Sequence, residues 1–200
     1  LGRVDPAVRQ VWDTLRTEHN TGQYLDVVGT ARGGVSAAEA RLIVRHKTAG
    51  YTIVRPLQLG AALAGRADLA DDIAAHAMPL GTAYQLRDDV LGAFGDPLVT
   101  GKPVGEDLRE AKPTVLMARA RAAATAAQRE VLARVGDHAT ETDITDIQQV
   151  IVDTGALEAT EAEITDLMSQ AVTAIDLLPP VPEARRALVA LAEFAVAREA

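Results

Sequence analysis

Apolar residues recur at the three- to four-residue spacing of an α-helix along nearly the whole chain. In the first such run, Val8, Val11, Trp12 and Leu15 fall on one helical face. No segment shows the alternation of β-branched and polar residues that is typical of a strand. Since the sequence contains helical periodicity and no strand pattern, it predicts an all-α fold.

Glycines and prolines divide the pattern into separate helices. The first three are predicted at 6–28, 37–64 and 69–91. Kinks are expected at Pro56 and Pro79, and Ser36 with Glu39 predicts a capping box at the start of the second helix. A loop is predicted at 92–112. The later helices are predicted at 113–135, from a cap at Thr142 or Asp143 to 154, at 157–177 and at 183–198. Long helices side by side predict a bundle, which we take as a single domain over 1–200.

The composition narrows the class of protein. The chain is 48% hydrophobic and 24% charged, which is typical of a globular protein, and it has no cysteine for disulfides or thiolate metal sites. Its net charge of −8 argues against nucleic acid as a partner. Neither a signal segment nor an apolar run of the ~20 residues that span a membrane occurs. We therefore expect a cytoplasmic protein.

Two adjacent aspartates stand at the end of the third predicted helix. Gln85, Asp88 and Asp89 are spaced to share one helical face, in the last turn before Gly92. Carboxylates at that end oppose the helix dipole, and the residues around them are largely apolar. An ordinary surface pair is one explanation. The other is a divalent cation, since Mg²⁺ takes one or two carboxylates together with water and substrate phosphates.

Lysine is rare in this chain, which has seventeen arginines and only three lysines: Lys47, Lys102 and Lys112. Lysine is a compact point charge, and Lys102 and Lys112 lie in the glycine-rich segment that follows the acid pair. Such a segment suits a phosphate group. Lys47 lies one helical turn from Tyr51, where it could bind an anion or lay its stem along the surface. Chance retention of the three lysines is the remaining explanation.

Several of these segments resemble motifs of the trans-isoprenyl diphosphate synthases, the polyprenyl synthetases. YQLRDDVLGAFGDPLVTGKPVGEDLREAKPT resembles the second aspartate-rich region of that family and the lysine-bearing loop that follows it. RHKTAGYT resembles the lysine–threonine helix motif, GQYLD the glutamine–aspartate helix, and VDTGALE the family's TGA turn. The four motifs occur in order over essentially the whole chain, which makes the resemblance specific. It is strongest to bacterial short-chain members that make geranylgeranyl or farnesyl diphosphate.

The resemblance implies both a fold and a reaction. The family fold is a bundle of long antiparallel helices around a central cavity. Mg²⁺ ions bridge aspartates to the diphosphate of an allylic substrate, the diphosphate leaves, and isopentenyl diphosphate attacks the allylic carbocation. The expected activity is that of a prenyltransferase which makes a C15–C20 product. A homodimer is expected, with no nucleic acid partner and no membrane span.

The family's functional residues can be carried over to matching positions. Asp88 and Asp89 would bind Mg²⁺, with Asp96 as a further candidate. The catalytic residues implied are Lys47, Thr48, Gln85 and Lys102. The substrate-binding residues implied are Gln23, Asp26, Lys47, Tyr51, Lys102 and Lys112.

The chain departs from the family pattern in three respects. Gly92 stands where the third aspartate of the second motif is usual, and Ala111 replaces the usual glycine of REGK. The first aspartate-rich motif and the basic residues for isopentenyl diphosphate have no counterpart in the 200 residues. We therefore expect the N-terminal helices of the fold to be missing here, and residues 1–200 alone to be inactive. Part of a longer enzyme is the favoured explanation, and natural truncation the other.

Two further interpretations remain open from the sequence. The chain could be a non-catalytic partner subunit of a prenyl synthase, or a class I terpene cyclase, which shares the fold and the ionisation step. The lysine-bearing loop and the lysine–threonine motif favour the synthase over the cyclase. Retention of all three lysines and both aspartates argues against a degenerate partner. The product length is not indicated, because the residues that set it in this family precede the first motif.

Overall fold

The computed structural model describes residues 5–101, 103–179 and 181–196, and all regular structure in them is helical. The α-helices are α1 (Pro6–Ala31), α2 (Ala37–Ile43), α3 (Arg55–Leu63), α4 (Ala70–Phe94), α5 (Pro97–Thr100), α6 (Glu106–Arg109), α7 (Val115–Ala123), α8 (Ala126–Leu132), α9 (Glu141–Asp153), α10 (Ala156–Ala174) and α11 (Pro182–Val196). A π-helix spans Val44–Val54, and 3₁₀ turns span Ala67–Leu69 and Ile175–Leu177. The all-α prediction is confirmed. None of the helices described is both long and apolar enough to cross a lipid bilayer.

Side-chain caps decide where several helices begin. The Ser36 backbone N–H donates to Glu39 Oε2 at 2.8 Å and the Glu39 N–H donates to Ser36 Oγ at 3.2 Å, so the predicted capping box is confirmed. The cap predicted at Thr142 or Asp143 is wrong. Thr140 is the cap of α9, and Asp143 completes its capping box from the third position of the helix.

The predicted helix at 113–135 is divided into α7 and α8. Thr114 caps α7 by accepting from the Met117 N–H. Thr125 then forms a capping box with Gln128 and starts α8. A threonine hydroxyl satisfies backbone donors that a continuing helix would have bonded itself, so the chain can restart at little cost.

The predicted loop at 92–112 is also partly helical. Helix α4 continues to Phe94, and the short helices α5 and α6 lie within the segment. Gly101 and Gly105 adopt φ values of 70° and 71°, a left-handed conformation that glycine accepts without strain. Gly101 lies at the C-terminal end of α5, and Gly105 directly precedes α6. The glycines therefore bound the short helices.

The predicted α-helix at 37–64 contains an unexpected π-helix. Residues Val44–Val54 form it between α2 and α3, so the predicted helix is continuous but is not α-helical throughout, and the kink at Pro56 stays a prediction. Pro56 is the second residue of α3, directly after the π-helix, and the chain is helical on both sides of it. The motif that carries Lys47, Thr48 and Tyr51 therefore winds more widely than an α-helix.

Two glycines on neighbouring helices approach this π-helix closely. A Cβ on Gly22 in α1 would lie 2.4 Å from the backbone nitrogen of Lys47, and one on Gly81 in α4 would lie 2.6 Å from Cα of Ala49. Real Cβ contacts are not this short, so only glycine permits both approaches. Glycine in a helix interior costs about 1 kcal/mol relative to alanine, and this close packing explains why Gly22 is there.

The tertiary contacts divide the chain into two compact units. The first unit comprises residues 5–24, 42–85 and 164–196, and the second comprises residues 25–41 and 86–163. Each unit has its own buried apolar cluster. In the first it includes Val54, Leu80 and Ala192, and in the second it includes Leu116, Ile147 and Ile151. The single domain over 1–200 stays a prediction.

Candidate functional site

In the first unit, the structure joins two of the predicted catalytic residues. Thr48 in the π-helix donates from Oγ1 to Oε1 of Gln85 in α4, over 2.6 Å. Both side chains are half-buried. Because Oε1 accepts this bond, the amide of Gln85 is oriented with its Nε2 donors on the other side. Sequence spacing alone contains no sign of this contact, since the residues are 37 positions apart.

The other predicted residues of the first unit lie on the π-helix and on α1. Lys47 is half-buried and its backbone adjoins Gly22. Gln23, the next residue of α1, is exposed. Tyr51 packs its ring on that of His19, with centroids 4.1 Å apart. We did not predict a role for His19, because ring packing between helices leaves no mark on sequence spacing.

In the second unit, Asp89 is 3% exposed and its Oδ2 accepts from the Val115 N–H at 3.3 Å. Val115 is the first residue of α7. Helix α4 continues to Phe94, so Asp89 lies more than one turn before its C-terminal end rather than in the last turn, where the sequence predicts it. The N-terminal end of α7 favours a carboxylate. The hydrogen bond from the Val115 N–H therefore stabilises the Asp89 carboxylate, a contact that the sequence did not predict. Asp88, the neighbouring residue in α4, is half-buried.

Gly92 leaves room for a carboxylate from another helix. Asp107 in α6 is 8% exposed, and a Cβ on Gly92 would lie 2.1 Å from its Oδ2 and 2.3 Å from its Cγ. The Asp107 side chain thus occupies the space that any side chain at position 92 would enter. Asp107 is absent from the predicted site residues. The aspartate between the two lysines of the family loop was the signal that could have found it.

Asp107 also forms an ion pair with Lys112, which lies 3.0 Å from Glu110 Oε2 as well. Burial by itself favours the neutral form of Lys112, but the hydrogen bonds to Asp107 and Glu110 outweigh it. The pKa of Lys112 is therefore raised above its ordinary value, and the side chain is a fixed cation.

Ala111 has an unusual backbone conformation. Its φ of 50° lies in the left-handed region, and it is the one such residue other than glycine in the described part of the chain. The conformation costs an L-residue roughly 1–2 kcal/mol. The family's usual glycine at this position therefore has a physical reason here, because this bend immediately precedes Lys112.

Three predicted site residues remain, namely Asp96, Asp26 and Lys102. Asp96 is exposed and caps α5 by accepting from the Leu98 N–H at 2.8 Å. Asp26 is half-buried in the part of α1 that belongs to the second unit. Lys102 lies outside the described residues. Among the residues described, no group of three carboxylate or imidazole side chains is arranged to hold a metal. Mg²⁺ does not require one, since phosphate oxygens and water commonly complete its coordination.

The sequence matches proteins of one family. A family profile described as Polyprenyl synthetase matches residues 4–154. The geranylfarnesyl diphosphate synthase of Aeropyrum pernix is 35% identical over 179 residues, which cover 88% of this chain and 55% of that protein. The chain spans about half the length of the curated relatives it matches.

Solved structures show the same fold. A geranylgeranyl pyrophosphate synthase from Corynebacterium glutamicum, crystallised with isoprenyl diphosphate and magnesium, matches with a TM-score of 0.91 and 39% identity, over 96% of this chain and 56% of that one. A polyprenyl synthetase from Streptomyces coelicolor A3(2) matches with a TM-score of 0.86 and 28% identity, over 94% of this chain and 58% of that one. The all-α fold is therefore that of the isoprenoid synthases. Within that class, the chain belongs to the polyprenyl synthetase family.

Proposed function

We propose that the protein is a trans-prenyltransferase that condenses isopentenyl diphosphate with an allylic diphosphate to give a short-chain, C15–C20 product. The observation that carries this proposal is the pair of nearly buried carboxylates in the second unit, Asp89 and Asp107, with Lys112 beside the latter. Carboxylates that can bind a divalent cation and a lysine that can bind phosphate oxygens, present in one unit, are the groups that ionisation of a diphosphate requires. Relatives named as short-chain and geranylfarnesyl diphosphate synthases support the same reaction.

Asp88 and Asp89 are assigned to Mg²⁺, with Asp96 as a further candidate. The carboxylates of Asp88 and Asp89 are hard oxygen donors at adjacent positions of α4, which fits the ion. Bound Mg²⁺ would neutralise charge on the departing diphosphate. Asp107, which fills the space beside Gly92, would hold Lys112 in place through their ion pair.

The lysines and polar groups are assigned to the diphosphate and to the reacting carbons. Lys47, Lys102 and Lys112 would bind diphosphate oxygens as point charges. Thr48 holds Gln85 in a fixed orientation, so that the dipole of its amide is preorganised. The substrate-binding residues on α1 and the π-helix are proposed to be Gln23, Asp26 and Tyr51. A homodimer remains a prediction.

The test is a Mg²⁺-dependent condensation assay on the complete protein expressed from its natural gene, with isopentenyl diphosphate and geranyl diphosphate. Asp88→Asn is expected to lower kcat by about 10²- to 10³-fold, the usual cost of removing one group that stabilises developing charge. Asp71→Asn is the matched control, because Asp71 lies in the first turn of the same helix, where a carboxylate is favourable. Its kcat should change by less than about twofold, in line with an exposed surface substitution.

Two outcomes would contradict the proposal in different ways. Equal activity of the two variants would remove the metal assignment. No turnover by the complete protein, together with a rate of an active synthase that rises when the protein is added, would identify a non-catalytic partner subunit instead. A cyclic hydrocarbon formed from the allylic diphosphate alone would identify a terpene cyclase.

A further inference from the structure

A cavity of about 640 Å³ in the second unit is lined by three arginines, Arg32, Arg121 and Arg129. One carboxylate, Glu39, also lines it, so three positive charges and one negative charge leave a net charge of +2. The chain as a whole has a net charge of −8. None of the residues assigned above to prenyl transfer lines this cavity. A basic cavity in an acidic protein, lined by none of the residues of its proposed reaction, calls for a separate explanation.

Arg121 is the central observation. It is half-buried, and within the described part of the chain its guanidinium makes no hydrogen bond or ion pair. Burial lowers the pKa of Arg121, because the charged form loses hydration without gaining a partner. Gly34 has a φ of 146°, and a Cβ there would lie 2.0 Å from Arg121 Nη1. The loop at Gly34 therefore leaves space for the Arg121 guanidinium but supplies no hydrogen bond or negative charge to it.

The one carboxylate of the lining is largely committed elsewhere. Glu39 Oε2 accepts from both the backbone N–H and the hydroxyl of Ser36, each at 2.8 Å, as the capping box of α2. Its Oε1 lies 3.8 Å from Arg32, both side chains being well exposed. Arg129 is exposed and forms no ion pair among the residues described. An anion in the cavity would therefore meet cationic groups whose charge the protein does not offset.

We propose that this cavity binds a phosphate or diphosphate group, either as the free anion or as part of an organic ester. The planar guanidinium of arginine matches phosphate oxygens with two parallel hydrogen bonds, and a dianion balances the net charge of the lining. The volume lies within the ~300–1,000 Å³ of small-molecule sites, so an organic ester also fits. Arg121 is the anchor, with Arg32 and Arg129 at the same cavity.

The test is calorimetric titration of the complete protein with inorganic diphosphate and with ADP. EDTA is included so that metal-dependent binding at the proposed prenyl-transfer residues is suppressed. Arg121→Gln is expected to weaken binding of the diphosphate group at least tenfold. Arg134→Gln is the matched control, because Arg134 is paired with Asp143 and Asp146 and lies outside the cavity. The control should remain within twofold of the parent protein.

The two probes separate the sources of the anion. Tighter binding of ADP than of inorganic diphosphate indicates an organic ester, and the reverse indicates the free ion. Binding that Arg121→Gln weakens no more than Arg134→Gln overturns the proposal. Tighter binding of the dicarboxylate glutarate than of either probe overturns the phosphate class.

A second measurement separates a binding role of Arg121 from a structural one. Without anion, Arg121→Gln should raise Tm, because it removes a half-buried charge that lacks a partner. Saturating diphosphate should raise Tm of the parent protein by more than it raises Tm of the variant. A lower Tm for the variant under both conditions would show that the guanidinium stabilises the loop at Gly34, and would overturn the assignment.

Discussion

Replacing Gly92 by alanine adds one methyl group at the point where Asp107 approaches α4. The new Cβ would lie 2.1 Å from Asp107 Oδ2, 2.3 Å from Cγ and 3.0 Å from Cβ. Non-bonded heavy atoms are favourable at about 3.5–4.0 Å, so the carboxylate must move by more than about 1 Å. Asp107 is 8% exposed, and it cannot move that far and keep its ion pair with Lys112.

The magnitude follows from two opposing effects. Breaking a buried ion pair costs about 3–5 kcal/mol, and we take about 2–3 kcal/mol because Lys112 is partly exposed and regains hydration. Alanine in place of glycine in a helix returns about 1 kcal/mol. Gly92→Ala should therefore lower the free energy of unfolding by about 1–2 kcal/mol, or Tm by roughly 2–8 °C for a chain of this length.

The assay is urea or thermal unfolding followed by circular dichroism, in a double-mutant cycle with Asp107→Ala. Once the Asp107 carboxylate is removed, Gly92→Ala should become neutral or stabilising by up to about 1 kcal/mol. The same clash predicts that Gly92→Asp, which restores the family's third aspartate, does not raise activity. The reasoning is refuted if Gly92→Ala is equally destabilising with and without the Asp107 carboxylate.

Three further predictions concern packing, pH and backbone strain. Gly81→Ala should destabilise the folded protein by about 1–3 kcal/mol, because the added methyl group would collide with the π-helix. Gly60→Ala should stabilise it by up to about 1 kcal/mol in the same denaturation assay, because nothing lies within 4 Å of the added methyl group. The hydrogen bond from Arg41, opposed by burial, lowers the pKa of Glu163. Glu163→Gln should therefore cost about 1–2 kcal/mol at pH 7, a deficit that shrinks as unfolding is measured at pH values falling below about 4.5. Ala111→Gly should raise Tm, since it relieves roughly 1 kcal/mol of left-handed strain, and an unchanged or lower Tm would contradict that account.

The sequence by itself determined those features that depend on residues close together in the chain. Helical periodicity predicted the all-α fold, and Ser36 with Glu39 predicted a capping box that the structure contains. The two adjacent aspartates of α4 and the three lysines indicated the family from the sequence alone. Each of these signals lies within a few residues, where spacing and capping chemistry have a direct structural meaning.

Only the tertiary structure decided which groups of other helices contact those residues. Asp89 accepts a hydrogen bond at the N-terminus of α7, and the Asp107 side chain fills the space beside Gly92. The hydroxyl of Thr48 orients Gln85. Each contact joins residues that are 15 to 37 positions apart. No periodic pattern encodes such pairs, because they depend on how closely separate helices pack. For the same reason, Asp89, which seemed unfavourably placed on α4, is favourably placed at the N-terminal end of α7.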